Sequence, residues 1–223
     1  MNYLLIDTSN QPLSVAVMRD ADVLATYHTN EKKNHSVQLM PAIIDTLQAA
    51  GMNKKDLDAV VVAEGPGSYT GLRIGVTTAK TLAYALNIKL YGVSSLQGLA
   101  ATVSKDDARL IVPIFDARRQ FVFAGIYQYQ SGKLVTIMED TYIEISELHE
   151  TCVAASKDNG YVYVGVDCPK FEEVIGDHYV THTPQAECMY PLITEASDVH
   201  QFVPKYLKIS EAEKNWIDQQ KKH

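Results

Sequence analysis

YLLIDTSNQPLSVAVM (3–18) and IVPIFDARRQFVFAGIYQY (111–129) are the two stretches on which the fold turns. In each, a short apolar run ends on an aspartate, Asp7 or Asp116. A polar turn follows, Asn10-Gln11-Pro12 in one and Ala117-Arg118-Arg119-Gln120 in the other. A second strand comes next, with apolar side chains alternating at a period near two. One strand–Asp–turn–strand pattern, present twice in a chain of 223 residues, predicts two related halves. The match is short, and chance can also produce it. The polar run Ser104-Lys105-Asp106-Asp107 is the break between them, giving halves 1–104 and 105–223.

Between the two stretches the chain alternates strand and helix patterns, which predicts an α/β fold. Residues 23–27 read as a third strand. NHSVQLMPAIIDTLQAAG (34–51) reads as a helix, capped by Asn34 or Ser36 and ended by Gly51. Pro41 lies inside it and predicts a kink. Val37, Met40, Ile44 and Leu47 form one helical stripe; Leu39, Ile43 and Ala50 form a second. DAVVVA (58–63) is a continuous apolar run, as for a strand buried on both faces. LRIGVTTAKTLAYALN (72–87) is a helix with two apolar sides. Residues 145–156 read as a helix, 161–166 as a strand, and the charged tail from 210 as a solvated helix.

The whole-chain numbers narrow the function. Hydrophobic residues make up 46% and charged residues 21%, as in ordinary globular proteins. The net charge of −7 disfavours nucleic-acid binding by this chain alone, because phosphate binding needs a basic face. Asp7 interrupts the apolar N-terminus after four residues, unlike a signal peptide, and no run reaches the ~20 apolar residues of a membrane span. Three cysteines without Cys-x-x-Cys spacing read as reduced thiols of a cytoplasmic protein.

Two stretches carry possible chemistry. AEGPGSYTGLRIG (63–75) joins the buried strand to a helix, a geometry that holds anions on free backbone N–H groups. It lacks the Gly-Lys-Ser/Thr of a Walker loop and the spacing of a dinucleotide fingerprint. Two readings stand: a phosphate site using Gly65, Gly67 and Ser68, or a capped helix whose glycines permit close packing. Asp7-Thr8-Ser9, with Asp116 as its mate, has the residue types of a metal–nucleotide site. Alternatively, both aspartates cap turns. The histidines form no ligand pair on a helix, and no metal site is expected.

LLIDTSNQPLSVAVM, NHSVQLMP, VVAEGPGSYTGLRIGVTTAKTLA and GVSSLQGLAA together closely resemble the TsaB family, also called YeaZ, of the bacterial tRNA threonylcarbamoyladenosine pathway. The first hundred residues match strongly. The rest match by pattern, including PIFDARR and VPKYLK (203–208). The resemblance implies two tandem RNase H-like halves of the actin, sugar kinase and Hsp70 type, each a mixed sheet with helices. It implies a non-catalytic subunit that pairs with a catalytic paralogue, TsaD, and is joined by an ATPase, TsaE. That complex transfers a threonylcarbamoyl group to the adenosine beside the anticodon.

The catalytic relatives carry Val-Asn-His-Met-Glu-Gly-His, whose two histidines bind a metal. Val93-Ser94-Ser95-Leu96-Gln97-Gly98-Leu99 stands here, with Ser95 and Leu99 in their places. Leucine is no ligand and serine a weak one. The expectation is therefore no metal and no cofactor of the chain's own, with a nucleotide allowed only at the complex interface. Asp7, Thr8, Ser9, Gly65, Gly67, Ser68 and Asp116 are expected to be a vestigial phosphate site.

The family's dimer contact uses the two helices noted above as a four-helix bundle. The expected contact residues are Leu39, Ile43, Ile74, Thr77, Thr78, Lys80 and Tyr84. The partners are TsaD, TsaE, tRNA through the complex, and a second copy through the same helices. Lys32-Lys33, Arg118-Arg119 and Lys221-Lys222 can add to a larger RNA surface or be solvated charges. Two other readings remain: an ATP-dependent phosphotransferase or ATPase of the same fold, and a metalloprotease, which the missing histidine pair argues against.

Overall fold

Each copy of the doubled motif opens a five-stranded mixed sheet in the computed structural model, which describes residues 1–30, 34–156 and 159–208. The first sheet contains β1 (Asn2–Asp7), β2 (Leu13–Arg19), β3 (Asp22–Thr29), β4 (Ala59–Gly65) and β5 (Lys89–Ser94), in the order β3-β2-β1-β4-β5. The second contains β6 (Leu110–Asp116), β7 (Phe121–Gln130), β8 (Lys133–Glu144), β9 (Tyr161–Val164) and β10 (Tyr179–Val180), in the order β8-β7-β6-β9-β10. In both, the first three strands form an antiparallel meander. The fourth and fifth add in parallel on the other side. The two halves thus share one topology, and the first strand of each is central and ends on Asp7 or Asp116.

Position in the sheet explains the composition of each strand. β4 is covered on both faces and is buried throughout, hence its unbroken apolar run. β3 is an edge strand and is largely exposed. β7 and β8 join through Ser131-Gly132, whose φ values of 51° and 76° suit the tight primed turns of hairpins. β8 is absent from the sequence reading. As an edge strand it carries Thr136, Asp140 and other polar residues on its inward stripe, which weakens the apolar alternation.

Helices α1 (His35–Ala49) and α2 (Tyr69–Leu86) cover one face of the first sheet. Leu39, Ala42, Ile43 and Leu47 of α1 and Val76, Ala79 and Ala83 of α2 pack on Leu4, Ile6, Val15, Val17, Val60 and Val62. The Asn34 side chain accepts from the Ser36 N–H (3.0 Å) and caps α1, which runs through Pro41 as one helix. In the second half, α4 (Ile145–Ala155) and the short α5 (Glu172–Ile175) occupy the corresponding positions over Val112, Ile114 and Ala124.

The other faces are covered by exchange. α3 (Ser95–Ala100) follows the first sheet in sequence, yet Leu96, Leu99 and Ala100 pack on Ile111, Phe115, Phe123 and Val164 of the second. The 3-10 helix Ala186–Leu192 follows the second sheet, yet Ala186 and Met189 pack on Leu5, Ala16, Val61 and Val93 of the first. Each half sends its last element to seal the other's core. The tail from 210, Lys32-Lys33 and Lys221-Lys222 lie outside the described residues.

Candidate functional site

The ends of β1, β4 and β6 bring the three candidate loops to the groove between the halves. A cavity of about 540 Å³ there is lined by Ser9, Gly67, Ser68 and Asp116, together with Arg118 and Lys208. Four of the expected phosphate-site residues therefore share one space. Asp7 and Thr8 lie buried beneath it.

The chain itself uses most of their bonding capacity. Asp7 Oδ1 accepts from the Ser9 N–H (2.8 Å) and the Ser9 hydroxyl (2.7 Å), an Asx turn of the kind weighed above. Asp116 accepts from the Arg118 N–H (2.8 Å) in a similar turn and pairs with Lys170 (3.0 Å). Lys170 also holds Asp167 (2.7 Å). The turn is strained: Arg118, Arg119 and Gln120 all have positive φ, at 69°, 58° and 63°.

The glycine loop is packed in the same way. Ser68 caps α2, accepting from the Gly71 N–H (3.3 Å), and its own N–H donates to the Ser9 carbonyl (2.7 Å). Thr8 donates from its hydroxyl to the Gly71 carbonyl (2.8 Å). A β-carbon on Gly67 would overlap the Ser9 carbonyl, and one on Gly71 the Thr8 carbonyl. A β-carbon on Gly65 would overlap the Lys205 carbonyl. These glycines admit the chain's own backbone.

The two positions that the resemblance matches to metal ligands, Ser95 and Leu99, do not fit a metal. Ser95 is buried, and its hydroxyl accepts from the Gly65 N–H (3.0 Å). Leu99 lies in the core against the second sheet.

Burial raises the pKa of Asp7 above the ordinary carboxylate value, while its bonds from Ser9 and the nearby His35 oppose the shift. The native state then binds the proton more tightly than the unfolded chain. The wild type gains stability as pH falls through the raised pKa, and the gain is complete below the unfolded value. Asp7→Asn removes this titration. Denaturant melts at several pH values should show the wild type gaining on Asp7→Asn as the pH is lowered towards the ordinary carboxylate value; a constant gap would mean that Asp7 ionisation has no part in stability.

The helix residues expected at a partner interface separate into distinct groups. Leu39 and Ile43 are core residues, with Ile43 only 2% exposed. Their expected place on the outer face is corrected: they form the sheet-facing stripe of α1, because β1, β2 and β4 supply the apolar surface beneath it. The outward stripe is Val37, Met40 and Ile44, with Ile44 49% exposed. On α2, Thr77 and Tyr84 are exposed, Tyr84 by 68%. Thr78 is half-buried, and Ile74 packs partly on the core. Lys80 is committed elsewhere, donating to the carbonyls of His200 (3.3 Å) and Phe202 (2.6 Å).

The sequence reading missed a second polar cluster in the groove. Asp140 of β8 accepts from the hydroxyls of Ser94 (2.5 Å) and Tyr127, and Glu64 pairs with Lys205 (2.5 Å). Burial raises the Asp140 pKa. A carboxylate on the inward stripe of an alternating strand was the available signal, had β8 been recognised. Among the described residues, no helix is long and apolar enough to cross a membrane.

Residues 22–169, spanning parts of both halves, match the family model of TsaD, tRNA N6-adenosine threonylcarbamoyltransferase. Over 99% of its length the chain is 44% identical to the tRNA threonylcarbamoyladenosine biosynthesis protein TsaB of Bacillus subtilis, covering 100% of that protein. It is 33% identical to the Escherichia coli protein of the same name, over 57% of this chain and 55% of that one. Among solved structures, YeaZ from Pseudomonas aeruginosa aligns with a TM-score of 0.77 at 25% identity, over 92% of this chain and 99% of that one. EutJ from Carboxydothermus hydrogenoformans shares the fold, with a TM-score of 0.51 at 11% identity, over 86% and 88% of the two chains.

Proposed function

Since the chain belongs to the TsaB family of tRNA threonylcarbamoyladenosine biosynthesis proteins, we propose that it is a non-catalytic subunit of the tRNA-modifying complex. It pairs with the catalytic paralogue TsaD, works with the ATPase TsaE in the cytoplasm, and meets tRNA through the assembled complex. The observation that carries this reading is that the groups a transferase or kinase would use are engaged within the chain. Asp7 and Asp116 close turns, and Lys170 neutralises Asp116. Ser95 and Leu99 serve packing, and the space beside the loop glycines is filled by backbone.

The proposed contact is the outer face of α1 and α2, with Val37, Met40, Ile44, Thr77 and Tyr84 at its centre. Exposed apolar side chains on neighbouring helices form the kind of surface that a second helix pair buries. A second copy of the chain uses the same face when the catalytic subunit is absent. Any nucleotide sits where the two subunits meet.

The test is tRNA threonylcarbamoylation by the purified catalytic subunit and ATPase, with and without this chain, alongside ATP turnover by the chain alone. Modification is expected only when the chain is present, with no turnover by it alone. Modification without it, or ATP hydrolysis by the isolated chain, would sink the reading in favour of an active phosphotransferase.

A further inference from the structure

β2 carries one polar side chain among its six buried residues, Ser14. A buried hydroxyl needs partners. Strand pairing sets Ser14 opposite His28 of β3, and Ser14 Oγ lies 3.0 Å from His28 Nδ1. On the other side of the ring, His28 Nε2 lies 3.2 Å from Glu187 Oε1. The Ala186 N–H donates to Ser14 Oγ (2.7 Å). One row of bonds therefore joins β2 and β3 to the first two residues of the 3-10 helix that arrives from the second half.

Serine, histidine and glutamate in a hydrogen-bonded row are the parts of a nucleophilic site. Here the serine is fully buried and its oxygen is covered by the Ala186 N–H, so no substrate reaches it. The row has a different use, and its donors fix where the ring proton sits. Ser14 Oγ already accepts from Ala186, so its own proton needs an acceptor, and Nδ1 is the one its bonds provide. Nε2 then carries the ring proton and donates it to Glu187. The opposite tautomer would strand the Ser14 proton and set a bare nitrogen against a carboxylate. Glu187 adds a second reason: its Oε2 is buried without a hydrogen bond, so the His28 N–H is what holds this carboxylate in place.

We propose that Ser14, His28 and Glu187 form a clasp that fixes the 186–192 helix on the first sheet, and that it holds only with the His28 proton on Nε2. Ala186 and Met189 pack on Leu5, Ala16 and Val61, but apolar contact is non-directional and sets no position by itself. The clasp supplies the position. It grips a backbone N–H and the next side chain of the helix from neighbouring places on two strands. His28 is thus a positioning residue for the element with which the second half seals the first core.

The test is NMR of the ring nitrogens in the full chain with isotope-labelled histidine, at about pH 8, where ordinary imidazole is neutral. The His28 signals are assigned by their loss in His28→Phe. They should show the proton on Nε2; a proton on Nδ1, or rapid averaging between the two nitrogens, would overturn the clasp. Amide hydrogen exchange reads the positioning. In His28→Phe the Ala186 amide should exchange roughly five-fold faster or more, while the Val61 amide, in the middle of the first sheet, keeps its rate. An unchanged Ala186 rate, or equal acceleration at Val61, would also overturn it. Should His28→Phe fail to fold, His28→Asn assigns the signals and Glu187→Ala supplies the exchange comparison.

Discussion

Ile43→Glu is expected to unfold the first half of the molecule, whereas Ile44→Glu, one residue along, should leave it folded and abolish its pairing. Ile43 is 2% exposed and packs with Leu39, Leu47 and Val76 over the first sheet. A carboxylate there has no partner in the surrounding core. Burying an unpaired charge costs several kcal/mol, and a loss above ~4 kcal/mol is expected. That approaches the ~5–15 kcal/mol that holds a typical domain together. Thermal and urea melts read it directly.

Ile44 points to solvent at 49% exposure, so its replacement should cost less than ~1 kcal/mol of stability. If the α1–α2 face is the contact, the new charge lies in a desolvated helix bundle. Affinity for the purified catalytic subunit should then fall at least ~30-fold, about 2 kcal/mol, as for a central interface residue. Titration calorimetry on the two variants separates core from contact. Undiminished binding by a folded Ile44→Glu protein would move the contact to another surface.

Gly71→Ala should destabilise the protein by ~1–3 kcal/mol or more without any ligand present. An added β-carbon would overlap the Thr8 carbonyl, which is backbone and cannot move aside alone. The same residue pair is joined by the Thr8 hydroxyl bond to the Gly71 carbonyl, so the start of α2 and the end of β1 must separate together. A loop kept for phosphate would instead lose ligand affinity and little stability. Melting the substituted protein decides between these uses of the glycines. A variant as stable as the wild type would mean that the packing argument is wrong.

Much of the fold was legible because it is written in local patterns. Apolar runs ending at Asp7 and Asp116 announced two central strands. The alternation of 13–17 after a polar turn announced the strand paired with the first, and Asn34 stood where a cap belongs. β8 was not legible, because Thr136 and Asp140 interrupt its apolar residues and a register shift sends Leu134 and Met138 to opposite faces of the sheet, so the period-two contrast is lost. At the site, the residue types were readable but not their engagement: nothing near Asp116 in sequence announces Lys170, 54 residues away.

By itself, then, the sequence determined the repeated strand–Asp–turn–strand motif, the α/β class, the family resemblance and the residues Ser95 and Leu99 at the ligand positions, since each depends on residue identity or short-range spacing. Tertiary structure alone decided which stripe of α1 faces out. A helix with two apolar sides reports both and ranks neither; the choice belongs to whatever distant surface packs against it, here Leu4, Val15, Val17 and Val62. It also decided that Lys80 serves the returning chain, that each half seals the other's core, and that Lys208 spans the groove. The contacts of Lys80, of Lys208 and of the 186–192 helix join residues about 90 or more positions apart along the chain, where no periodicity reaches.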